Sequence, residues 1–122
     1  MGLALAVGLA GAVGAVSRYL VDNAITDRHG GMFPWGTLTV NVVGSFILGL
    51  VAGLVLHHAG SRSVQVVVGI GFCGALTTWS TATWESVRLL QEGVIAAALA
   101  FTVANLMVSL LLAGLGLAVS AL

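Results

Sequence analysis

Four long apolar runs, separated by short polar stretches, constrain this chain more than any other feature. A helix that crosses a bilayer needs roughly 20 mostly apolar residues. The runs from about Gly2 to Val21, Phe33 to Leu56, Val64 to Leu90 and Val94 to Leu122 each qualify. The connections read VDNAITDRHGGM, HHAGSRS and LLQEG. Charged residues make up 7% of the 122, against about 25% in a soluble domain. So few charges cannot cover a water-facing surface. The pattern predicts an all-α membrane protein, one four-helix unit over residues 1–122, seated in the cell membrane in contact with lipid.

The details of the runs fit that reading. MGLALAVGLAGAVGAVSR lacks the basic leader of a signal peptide, so it reads as a first membrane helix. Ala6 stands where a myristoylation signal needs Ser or Thr. Pro34 sits at the start of the second span, where its missing N–H does no harm. Gly8, Gly11 and Ala15 can share a face of span one, and Gly49 and Gly53 form a GxxxG in span two. Small residues at this spacing let membrane helices approach closely. Four spans put Arg18, Arg28 and Arg88 on one side and Arg62 on the other, a thin bias toward the first group being cytoplasmic.

Several function classes lose support. The net charge is zero and the chain has no Lys, so nothing favours nucleic acid. Cys73 is the sole cysteine; it cannot form an intrachain disulfide and reads as a small core residue. His29, His57 and His58 fall in the expected connections, and no nucleophile–base pair or metal-ligand cluster stands out, so an enzyme is disfavoured. A proton-coupled drug antiporter needs an acid embedded in its first span, and none precedes Asp22.

The polar residues that remain lie in stripes. Thr37, Asn41 and Ser45 follow one another four residues apart in span two. Thr77, Thr81 and Glu85 do so in span three, with Ser80 beside them, and Asn105 and Ser109 in span four. Positions four apart share a helix face. A single hydroxyl in a membrane helix is commonly glue between helices. Three stripes together favour a polar path over a scaffold that merely packs. A cation path usually carries acids along its length. Here the one candidate is Glu85, which Arg88 can also pair at the membrane edge. Neutral donors suit a small anion that must leave again, or a neutral polar solute; spacing leaves both open.

The stretch GALTT is weak helix. Gly74 and the β-branched Thr77 and Thr78 all lower helix propensity. A break there would free backbone carbonyls and N–H groups, which membrane proteins tolerate where those groups line a cavity or hold an ion. Carbonyl oxygens suit a hard cation such as Na⁺.

GAVGAVSRY (11–19), GTLTVNVVGSFILG (36–49) and GFCGALTTWST (71–81) resemble the Fluc/CrcB fluoride channels, in order and over essentially the whole chain. The resemblance implies passive F⁻ export through an antiparallel, inverted dimer of four-helix subunits with two pores and a break in the third helix. It implies a structural Na⁺ at the dimer centre, bound by backbone carbonyls that map to Gly74 and Thr77. It maps the fluoride pathway to Asn41, Trp79, Ser80, Thr81, Asn105 and Ser109, with Arg18, Thr37, Glu85 and Phe101 at other motif positions.

Three positions depart from the family pattern, which usually reads TTFSTF with two phenylalanines meeting fluoride by their ring edges. Trp79 replaces the first and still presents an electropositive edge with an indole N–H. Ala82 replaces the second and cannot. Phe101 stands where many members carry Tyr. Two arrangements are compatible with this: a homodimer with an altered pore, or a heterodimer with an unlike family member. The retention of Asn41, Gly74, Thr77, Ser80, Thr81 and Asn105 favours the homodimer.

Overall fold

The computed structural model describes residues 1–122, and all its regular structure is helical. Helix α1 spans Gly2–His29 and α2 spans Trp35–His58. The third span covers Arg62–Gln91 in pieces: α3 (Arg62–Val64), a π-helical turn series (Gln65–Cys73), α4 (Gly74–Leu76) and, after an extended step, α5 (Trp79–Gln91). Helix α6 spans Ile95–Val119. Four stretches are thus long and apolar enough to cross a membrane, as expected.

The boundaries differ where polar residues were read as loop. Helix α1 continues past Val21 to His29, because nothing in DNAITDRH stops a helix. It ends only at Gly30, in the left-handed region (φ 54°), whose N–H bonds the Thr26 carbonyl at 2.9 Å. Likewise His29, His57 and His58 lie not in connections but in the last turns of α1 and α2. Pro34 sits one residue before α2, and its carbonyl takes the Leu38 N–H at 3.1 Å.

Missing side chains set the packing. Helices α2 and α6 form the most extensive contact. There the Gly49 Cα faces the Ala113 backbone, and the Gly116 Cα faces the Phe46 carbonyl and the Leu50 N–H. A Cβ at either position would enter main chain, so the GxxxG prediction for Gly49 is met. Gly53 in turn accommodates Ser120. In α1 the close approach falls at Gly14, against the Phe72 carbonyl of the π-helical stretch, and not at Gly8, which has open space around it. Gly11 faces the Gly71 carbonyl more loosely, since a Cβ there would meet it only at ordinary contact distance.

The buried interior is correspondingly thin. A small cluster of Ala82, Leu89, Ala98 and Phe101 joins α5 to α6. Phe33 meets the Phe101 ring edge-on, with centroids 5.8 Å apart and planes at 86°. Most large apolar side chains point outward, from Leu5 and Leu9 to Leu110 and Leu111. Lipid is as apolar as they are, so their exposure carries no penalty in a bilayer.

Candidate functional site

The third span breaks at Thr77 and Thr78. Both adopt extended backbone, at φ −78°, ψ 161° and φ −149°, ψ 123°. The glycines and β-branched residues around them make the break cheap, and three side chains then satisfy it. Thr77 turns its hydroxyl back to the Cys73 carbonyl at 2.8 Å, beside its own N–H at 2.9 Å. Thr78 caps α5: its hydroxyl accepts the Thr81 N–H at 3.1 Å. Gly44 on α2 leaves room for the Thr77 methyl, which a Cβ there would strike.

Asn41 closes the exposed main chain. Its Oδ1 accepts the Thr78 N–H at 2.7 Å, while its Nδ2 donates to the Thr78 carbonyl at 3.0 Å. The amide thus pairs with Thr78 as one peptide pairs with another across a sheet. Both contacts are buried. That pairing settles the amide's orientation, since a carbonyl needs a donor and an N–H needs an acceptor. The second Nδ2 hydrogen donates to Asn105 Oδ1 at 2.8 Å. Asn105 is thereby oriented too, with its oxygen toward Asn41 and its own NH₂ left over.

These residues line one groove of about 390 Å³. Asn41, Ser45, Gly74, Thr77, Thr78, Trp79, Asn105 and Ser109 contribute to it, with Cys73 and several aliphatic side chains, and no charged residue does. Its unspent donors include the Asn105 NH₂, the Trp79 indole, the Ser45 hydroxyl and the Ser109 hydroxyl, the last a buried group with no partner. Asn41 has none to spare. The break also frees acceptors. In an unbroken helix the Gly74 carbonyl would take the Thr78 N–H and the Thr77 carbonyl the Thr81 N–H; those donors go to Asn41 and to the Thr78 hydroxyl instead.

The other expected positions lie elsewhere. Arg18, Thr37 and Thr81 line a second cleft of about 220 Å³ with Tyr19, Asp22 and Thr78, so Thr78 is common to cleft and groove. Ser80 is exposed and lies 3.4 Å from the Thr78 hydroxyl. Glu85 pairs with Arg88 at 2.6 Å, the partner anticipated for it. Arg88 also reaches the Met32 carbonyl at 3.2 Å, tying α5 to the α1–α2 connection. Phe101 is fully buried in the α5–α6 cluster and opens on neither cavity. Ala82 packs in that same cluster. Thr78 emerges as a residue that spacing did not single out, because its pairing with Asn41 is made by main chain.

Known proteins share this pattern. The family described as CrcB-like protein, Camphor Resistance (CrcB), matches residues 5–117. A fluoride-specific ion channel of Leifsonia xyli subsp. xyli is 45% identical over 113 residues, covering 93% of this chain and 82% of that one. A fluoride-specific ion channel of Rhizobium meliloti is 42% identical, covering 93% and 92%. One of Shewanella piezotolerans is 41% identical, covering 92% and 90%.

Proposed function

The chain belongs to the CrcB-like family, and from that premise we propose that it is a multi-pass membrane subunit of a fluoride-selective channel, not an enzyme. The observation that carries the anion reading is the groove's lining. It offers amide, indole and hydroxyl donors, with neither a carboxylate to repel F⁻ nor a fixed cation to trap it. Conduction needs binding weak enough to release the ion, and neutral donors meet that need. Passive flow outward down its gradient would then keep fluoride from accumulating in the cytoplasm.

We further propose a second subunit, as an antiparallel copy of this chain or a close relative. The groove is open on one side, and Trp79 is 78% exposed there with its indole N–H unpartnered. An unpaired donor facing hydrocarbon is costly, and a partner covering this face would remove the cost. Sodium fits the same arrangement. The Gly74 and Thr77 carbonyls have lost their helical donors, and oxygen-only sites suit hard cations. A twofold axis would double each chain's pair of carbonyls into a four-oxygen shell. Bound there, Na⁺ would tie the two breaks together and carry no current itself.

The test is fluoride efflux from liposomes carrying this chain alone, read with a fluoride electrode. Efflux that chloride does not share is expected. No efflux alone, but efflux on adding a second family member, would replace the homodimer by a heterodimer; none in either case would sink the channel reading.

A further inference from the structure

A smaller cavity of about 240 Å³ adjoins the groove between α5 and α6. It shares Trp79, Asn105 and Leu106 with the groove, then continues past Ala82 to Ser86 and Thr102. Thr102, Asn105 and Ser109 fall three and four residues apart, so their side chains follow one side of α6 across both cavities. Ala82 contributes only a methyl, which leaves the space in front of the two hydroxyls unfilled.

Those hydroxyls are close but short of hydrogens. Ser86 Oγ lies 2.9 Å from the Ala82 carbonyl, and Thr102 Oγ1 lies 2.9 Å from Ser86 Oγ and 2.8 Å from the Ala98 carbonyl. Each hydroxyl has one hydrogen, so two hydrogens serve three contacts. Thr102 must choose between Ser86 and Ala98. Neither carbonyl depends on the hydroxyls, because each is also the i−4 acceptor of a backbone N–H within its helix. Turning either O–H into the cavity therefore strands no buried group. Thr102 is also exposed on the isolated chain, about 10 Å into α6 from its start. That depth is within the hydrocarbon, where a hydroxyl turned outward has little else to meet.

We propose that Ser86 and Thr102 form a further anion-coordinating station on the path, next to the Asn105 amide and the Trp79 edge. An incoming small anion draws both O–H groups off their helix carbonyls and leaves when they turn back. No covalent step or proton transfer is involved. The inference rests on the fluoride-channel reading of the groove.

The experiment compares wild type with Thr102→Val, Thr102→Ser and Ser86→Ala in fluoride-loaded liposomes, each first checked for wild-type elution and thermal midpoint in detergent. Valine keeps the shape of threonine without its donor, and serine keeps the donor without the methyl. Loss of one hydrogen bond to an ion predicts a fall in flux of about tenfold to a hundredfold for Thr102→Val and Ser86→Ala, with Thr102→Ser within about twofold of wild type. Wild-type flux in both Thr102→Val and Ser86→Ala, beside a conducting wild type, overturns the inference and leaves the channel reading intact. Equal loss in Thr102→Val and Thr102→Ser also overturns it, since packing would then account for the effect. A misfolded Thr102→Val leaves Ser86→Ala to decide by the same criterion. A silent wild type sinks the channel reading and the inference with it.

Discussion

Helices α2 and α6 meet in two ways about 12 Å apart along the axis. At one level Gly49 and Gly116 bring bare backbones together with no polar side chain between them. At the other, Asn41 and Asn105 meet through a 2.8 Å hydrogen bond that continues into the broken third span. The dry contact supplies close packing, the chief source of attraction where lipid offers no hydrophobic drive. The polar contact supplies direction. It holds Thr78 extended and turns the Asn105 NH₂ away from Asn41, leaving it the free donor of the pair. One helix pair thus separates cohesion from chemistry, and each can be attacked alone.

The largest effect belongs to the dry contact. Gly116→Val places a side chain in the Phe46 and Leu50 backbone, at a cost of about 3 kcal/mol or more. Loss of the monodisperse protein is expected by size-exclusion chromatography, and flux goes with it. Asn41→Ala attacks the polar contact. It strands the buried Thr78 N–H and carbonyl, at about 1–3 kcal/mol each. A lower thermal midpoint with abolished efflux is expected; an unchanged midpoint would show that Asn41 does not hold the break.

Asn105→Asp separates direction from cohesion more cleanly. Its oxygen toward Asn41 is kept, while the donor side of the amide becomes a carboxylate beside the path. Repulsion of an anion at close range in a partly dry site is worth about 4 kcal/mol, so efflux should fall on the order of a hundredfold or more with the midpoint retained. Exhaustive replacement of Na⁺ by a large organic cation should lower the midpoint of the assembled protein; no change in stability or flux would remove the Gly74 and Thr77 carbonyls as a sodium site. Arg88→Ala marks the small end. The Arg88–Glu85 pair lies partly in solvent, such pairs are worth roughly 0–1 kcal/mol, and near wild-type flux is expected.

Reading along the chain found the spans well and their ends less well. The run DNAITDRH looked like a loop because it is polar, yet polar residues form helix readily once they leave the membrane. The weak helix at GALTT correctly announced a break, and Asn41, Trp79, Asn105 and Ser109 do share one groove. Ser80 and Thr81, on the same short stretch, do not line it. A break rotates the helix beyond it, so the periodicity that joins Thr77 to Thr81 in one helix cannot be carried across. Glycine spacing had the same limit: the GxxxG motif points to Gly49, but in α1 Gly14 rather than Gly8 makes the close contact, against Phe72 of the π-helical stretch.

Composition and apolar run length were enough to decide that this chain spans a membrane four times, since burying backbone and side chains in lipid allows few other solutions. The motifs were enough to decide the family. Hydrogen-bond assignment belonged to the folded structure alone. Asn41, Asn105 and Ser109 look alike in sequence, as polar residues at helical spacing. Only their packing shows that Asn41 is spent on Thr78, that Asn105 is turned by Asn41, and that Ser109 remains unpaired. A donor's availability depends on what lies within about 3 Å of it, and that neighbourhood is assembled from residues far apart in the chain.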